Sequence, residues 1–304
     1  MKSRLLITAS IISLIALQAT VHAMRPSAGF SLPDSVHEMT LKYRTVRGLI
    51  VLPVTINDSI HVNLILDTGC RNLILFGKKF KDLFTMNSAK PVEFSGLGSG
   101  RPVTGTLSLG NKVSISDVLG KQIPVVVVSN SNLFAGYSGV HGVVGYDIFL
   151  KFEIELNASD RTITFRPAAK ASAPAGYTQV PLQVIDSRPI IQSQISFGRD
   201  DSKPMDLMID TGSSLGLLLK TTNITDYGNR TEKVLGIGFN GPVSGYQTVS
   251  GLLKIRDLEM SKVATGIVSS NWHNNASIGM DILKDYIVIL NYCKSYACFK
   301  RNEV

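Results

Sequence analysis

Leu66-Asp67-Thr68-Gly69 and Ile209-Asp210-Thr211-Gly212 are two copies of one short motif, each set after a largely apolar run. The first follows Val62-Asn63-Leu64-Ile65; the second follows Met205 to Met208, interrupted by Asp206. At average residue usage a given three-residue window reads Asp-Thr-Gly about once in several thousand, so a second copy in the same setting is not an accident of composition. One copy alone would read as a strand-ending turn, because Asp and Gly are ordinary turn residues. A carboxylate at the end of a buried strand is a costly placement. Two of them predict two half-domains, each bringing one aspartate to a shared site. Paired carboxylates that share a proton are machinery for acid/base hydrolysis.

A second repeat reinforces the first. Gly145-Tyr146-Asp147-Ile148 recurs 134 residues later as Gly279-Met280-Asp281-Ile282. The same offset carries through a hairpin, matching Phe152 with Tyr286, Ile154 with Val288, Leu156 with Leu290 and Phe165 with Phe299. Between the motifs, Gly96-Leu97-Gly98 is echoed by Gly236-Ile237-Gly238. The order Asp-Thr-Gly, Gly-rich loop, Gly-x-Asp-Ile hairpin therefore occurs twice, and internal duplication organises the whole chain.

On these residues, over roughly 41–300, the chain resembles the aspartic peptidases of the pepsin/retropepsin superfamily, with both lobes in one polypeptide. Asp210-Thr211-Gly212-Ser213-Ser214 is close to the pepsin-type active loop. Val143-Val144-Gly145 and Ser277-Ile278-Gly279 stand where that family has two apolar residues and a glycine. The first active loop departs, with Cys70-Arg71 in place of two serines. The resemblance implies an all-β, bilobal acid-protease-like fold: two similar β-barrel lobes with a cleft between them. It implies catalytic Asp67 and Asp210, and threonines Thr68 and Thr211 whose hydroxyls reach the opposite lobe's backbone. Gly69 and Gly212 let backbone amides approach the carboxylates. Ser213 would donate to its aspartate, and Cys70, a weaker donor, would take that place beside Asp67. The dyad would then be asymmetric. Gly-rich hairpins fit flaps over the cleft, with Gly98, Ser99 and Tyr246 as substrate contacts, or plain surface hairpins. Asp147 and Asp281 read as caps of the short helices they open. The expected activity is that of an aspartic endopeptidase acting on peptide or protein substrates without cofactor or metal. The alternative is a catalytically inactive duplicated fold that binds peptides or glycans.

Composition sets the remaining bounds. Lys2 and Arg4, the apolar stretch Leu5 to Leu17 and Val21-His22-Ala23 read as an export signal over residues 1–23, with an uncleaved anchor helix as the alternative. The apolar stretch is short for a bilayer span. Without those residues the balance is 29 basic against 23 acidic, a net +6. The cations are scattered without an aromatic-interleaved stripe, which argues against nucleic acid and leaves room for acidic substrates. An exported monomer is expected, periplasmic or secreted. Residues 24–40 read as a flexible leader, 41–167 as the first lobe, 168–180 as a linker rich in Pro, Ala and Ser, and 181–304 as the second lobe. Cys293 and Cys298 flank the last hairpin tip and read as a disulfide or as two free thiols; export favours the bridge.

Overall fold

A computed structural model describes residues 28–84, 91–131, 133–197, 202–222, 231–270 and 276–303. Residues 1–27, which include the expected export signal, lie outside that set. The regular structure of the described residues is nearly all strand, in three sheets. Two-residue turns with positive φ at both positions join neighbouring strands, at Arg47–Gly48 and Asp186–Ser187. Their backbone twist matches that of the flanking strands.

The duplication seen in sequence is a duplication of topology. In the first half, Ile60–Leu66 lies parallel to Gly142–Val144, which lies antiparallel to Leu73–Phe76, which runs parallel to Val118–Val128. In the second half, Lys203–Ile209, Ala276–Ile278, Leu217–Thr221 and Leu258–Ser269 repeat the same relations. The innermost of these strands, Leu73–Phe76, Gly142–Val144 and Ala276–Ile278, are buried at every position, as parallel pairing inside a covered sheet requires. Each aspartate closes its strand with its backbone N–H held by the neighbouring strand. Asp67 N–H donates to Val144 O (2.9 Å) and Asp210 N–H to Ile278 O (2.8 Å).

A six-stranded sheet joins the halves, in the order Thr178–Pro181, Tyr296–Arg301, Tyr286–Asn291, Phe152–Asn157, Thr162–Pro167, Met39–Lys42. At its centre Ile154 faces Leu290 and Leu156 faces Val288. Since Ile154 and Val288 are duplicate positions, as are Leu156 and Leu290, the two hairpins meet about an approximate two-fold axis, each presenting the same surface to the other.

Three expectations about the chain's outline are corrected. Residues 28–40 are not a loose leader: Gly29–Ser31 pairs with Leu119–Lys121, and Phe30 and Met39 are buried in the core. Burial of two large apolar side chains outweighs the Pro and Ser that suggested mobility. The linker at 168–180 is packed down. Ala168 and Ala171 are buried, Asn291 Nδ2–H donates to Ala168 O (3.1 Å), and from Thr178 the chain is a strand. The disulfide is absent: Cys293 and Cys298 are free thiols. The hairpin register sets Asn291 against Tyr296 and Ile289 against Cys298, which leaves Cys293 in the exposed turn while Cys298 points into the protein. Burial, with Glu153 nearby, pushes the Cys298 thiol up to about 11. No helix among the described residues is long and apolar enough to cross a membrane.

Candidate active site

The two Asp-Thr-Gly loops meet at the base of a cleft between the halves. Thr68 Oγ1 donates to Ile209 O (2.6 Å) and accepts from Thr211 N–H (3.0 Å). Thr211 Oγ1 donates to Leu66 O (2.7 Å) and accepts from Thr68 N–H (3.1 Å). Both threonines are wholly buried. Each hydroxyl therefore satisfies one backbone donor and one acceptor that water cannot reach. Thr68→Val keeps the shape and removes the hydroxyl, leaving Thr211 N–H and Ile209 O unpaired. Chemical unfolding of that variant is expected to show a loss of about 2–5 kcal/mol, at an unchanged denaturant slope. A loss below about 1 kcal/mol would mean that the grip is not holding the halves together.

The grip sets the aspartates against one another. Gly69 N–H donates to Asp67 Oδ1 (2.7 Å) and Gly212 N–H to Asp210 Oδ1 (3.1 Å). A point one bond from the Gly69 Cα, where a Cβ would stand, lies 3.1 Å from Asp67 Oδ1 and 3.5 Å from Asp210 Oδ1. The Asp67 carboxyl also lies directly over Gly212 of the other half. Both aspartates are surrounded by protein yet open on one side to a cavity of about 220 Å³.

Burial raises both carboxyls above their ordinary range. The Asp210 charge raises Asp67 further, up to about 7, against the pull of Gly69 N–H and Arg188. Asp210 is held back first by Lys220, then by Gly212 N–H and Arg188. The donors expected to make the dyad asymmetric are not in place. The Cys70 thiol donates to Asn72 O (3.2 Å) instead of to Asp67. Ser213 Oγ accepts from Leu215 N–H (3.3 Å). What distinguishes the two carboxyls is the lysine beside Asp210. Cys70→Ser is therefore expected to leave the acid limb of any pH–rate profile in place. A downward shift would restore the thiol as a donor to Asp67.

The flaps close over the cavity by touching tip to tip. Gly96 N–H donates to Asn240 Oδ1 (3.0 Å), Ser99 N–H to Pro242 O (3.0 Å), and Asn240 N–H to Leu97 O (3.2 Å). Gly98 and Ser99 lie in this seam and do not face the cavity; Gly96 and Leu97 do. Tyr246 is a correction: it sits opposite Ile267 in a strand and packs on the core away from the cavity lining. The roof aromatic is Phe239, packed on Phe76 and Phe94, with Phe134 and Tyr137 along one wall.

Asp147 and Asp281 do not cap their helices. The caps are Gly145 and Gly279, with no side-chain cap bond. Asp281 pairs with Lys284 (2.5 Å), and burial raises Asp147.

Arg188 and Lys220 line the cavity and were missed in the sequence. Lys220 ends an apolar run, Leu217-Leu218-Leu219, in a buried strand. A charge in that place was the available signal.

Residues 52–148 match the aspartyl protease family. The solved structures that match include the aspartic proteinase from Irpex lacteus. The two share 12% identity with a TM-score of 0.57, over 88% of this chain and 98% of that one. At that identity the likeness carries the fold alone. No curated protein matches the chain. The first half thus carries the aspartyl protease signature, on a chain whose two halves together have the fold of an aspartic peptidase of the pepsin/retropepsin type.

Proposed function

We propose that this protein is an aspartic endopeptidase that hydrolyses peptide bonds with a water activated between Asp67 and Asp210. The observation that carries the reading is the reciprocal threonine grip, which presents two carboxyls to one cavity. Two carboxyls so close cannot both ionise readily, so they share a proton. The ionised member takes a proton from water as its oxygen attacks the scissile carbonyl carbon. The protonated member gives its proton to the carbonyl oxygen, forming a gem-diol. Return of a proton to the nitrogen lets the C–N bond break and releases amine and acid. The titration belongs to the pair, so neither residue is assigned one fixed role.

The raised carboxyls set the working range. The dyad keeps its shared proton until the pH approaches about 7, so activity is expected to fall as the pH passes through that value. The basic start and apolar stretch of residues 1–23 support export as the setting.

The test is digestion of a mixed peptide library by the purified chain between pH 3 and pH 8, read by mass spectrometry, with the Asp210→Asn protein as a control for contaminating peptidases. Internal cuts made by the wild-type chain and absent from the control are expected. A library left whole at every pH would reduce the protein to a peptide-binding or glycan-binding form of the fold.

A further inference from the structure

The duplication makes each flap tip a control for the other. Gly96-Leu97-Gly98-Ser99-Gly100-Arg101-Pro102-Val103 aligns without a gap on Gly236-Ile237-Gly238-Phe239-Asn240-Gly241-Pro242-Val243. The two differ most at the centre, where Ser99 and Gly100 of the first tip stand against Phe239 and Asn240 of the second. One tip is small and the other is large. The large tip is seated in the small one. Asn240 uses three of its polar groups there: its N–H donates to Leu97 O (3.2 Å), its backbone O accepts from Gly100 N–H (2.6 Å) and its Oδ1 accepts from Gly96 N–H (3.0 Å). Phe239 crosses into the first half, with ring centres 5.7 Å from Phe76 and 5.9 Å from Phe94, edge-on to the latter.

The small residues of the first tip are what let this seam form. A Cβ at Gly100 would stand 2.3 Å from Asn240 O, and one at Gly98 would stand 2.6 Å from Asn240 C. Both obstacles are backbone, which cannot swing aside as the end of a side chain can. The bonds of the seam pair the tips with one another and ask nothing of a ligand. Beneath them lies a cavity of about 220 Å³. Sites that enclose a drug-sized ligand measure roughly 300–1,000 Å³. An extended peptide of several residues needs more room than the cleft offers with its tips joined.

We infer that Phe239 and Asn240 form a latch: seated in the first flap, they hold the cleft shut against extended polypeptides, and the tips must part before a chain several residues long reaches Asp67 and Asp210. The latch governs entry whether the protein cuts its ligand or only binds it, so the inference goes beyond the peptidase reading. It also has two sides. Asn240 is the bolt, and the glycines at 98 and 100 are the keep. A change on either flap therefore releases both. A segment that opens locally, while the rest of the fold stays closed, exposes its amides in proportion to the population of the open form.

The test is amide hydrogen exchange of the purified chain, read by mass spectrometry over residues 95–101 and 238–243. In the wild type both segments are expected to exchange at least about tenfold more slowly than unstructured chain. Gly100 has no positive φ, so Gly100→Ala fits the backbone and meets only Asn240 O; it is expected to strip protection from both segments. Asn240→Ala removes the bond to Gly96 N–H and is expected to weaken protection of both by about threefold or more. Thermal unfolding shows whether the rest of each variant is intact. Entry is read with a water-soluble carbodiimide and glycine amide, which couple to carboxyls. Labelling of Asp67 and Asp210 is expected to rise about tenfold in Gly100→Ala, while the exposed Asp58 labels alike in every chain. Unprotected tips in the wild type would overturn the latch. So would a variant that frees only its own flap, or freed tips with no gain in labelling at the dyad. No arm requires hydrolysis, so a chain that cuts nothing can carry the latch and an active peptidase can fail the test.

Discussion

Asp67→Asn and Asp210→Asn are each expected to lower kcat/KM by about 10³-fold or more, because an amide neither accepts the proton of water nor holds one to give. A contaminating peptidase would survive both substitutions; the dyad survives neither. The same substitution at Asp67 carries an opposite effect on stability. Burial and the neighbouring Asp210 charge push its carboxyl up to about 7 in the folded chain, against an ordinary value of 3.8. Between those values the unfolded chain has released the proton and the folded chain retains it. The folded state then binds more protons, so stability falls as the pH rises through this window. Asparagine has nothing to ionise. At pH 7 Asp67→Asn is expected to exceed the wild-type chain in stability by an amount on the order of a few kcal/mol, with the gap closing toward pH 4. Thermal unfolding at the two pH values checks both the sign and the window. Asp210→Asn is expected to act in the same direction, since burial raises that carboxyl too. Asn variants that lose activity without stabilisation at pH 7 would mean that the carboxyls are not forced together as described.

The same features explain what could be read before any coordinates. A carboxylate at the end of an apolar strand is legible because burial of charge is rare and expensive. Its repetition implied a shared site, and the threonine grip supplies it. The offset that matched Ile154 with Val288 is the same relation that pairs the hairpins across the central sheet. What sequence did not carry was register between distant elements. Cys293 and Cys298 flank a hairpin tip in sequence, but the turn begins after Asn291 and their side chains part. Tyr246 and Phe239 both border a Gly-rich tip. Which one meets the cleft depends on the seam between two flaps, fixed by contacts such as Gly96 N–H to Asn240. Phe30 reads as one apolar residue among Pro, Ser and Gly until Leu119–Lys121 is there to pair with its strand. Arg188 and Lys220 were invisible as a pair for the same reason: 32 residues of chain separate them, and only the fold brings both to one cavity.

The strongest test of the dyad's geometry lies in the glycines beneath it. Neither Gly69 nor Gly212 has positive φ, so an alanine at either place fits the backbone and asks only for space. At Gly212 there is none. An added Cβ would stand 2.4 Å from Asp67 Cγ and 2.5 and 2.6 Å from its two oxygens, where real contacts stay beyond 3.0 Å. The carboxyl of the opposite half must shift by more than half an ångström, and a misplacement of about that size costs on the order of 10²-fold in rate. At Gly69 the nearest atom is Met208 Cε at 2.7 Å, the free end of a flexible side chain, and Asp67 Oδ1 is 3.1 Å away. Gly69→Ala is therefore expected to lose less than about tenfold in kcat and Gly212→Ala about 10²-fold, although the two positions look alike in sequence. Thermal unfolding separates displacement from collapse. The clash belongs to a pair of residues, so Gly212→Ala should cost much less stability in an Asp67→Ala background, where the Cγ it meets is gone. Equal costs in both backgrounds, or a Gly212→Ala chain with wild-type kcat, would place the Asp67 carboxyl somewhere other than over the second loop.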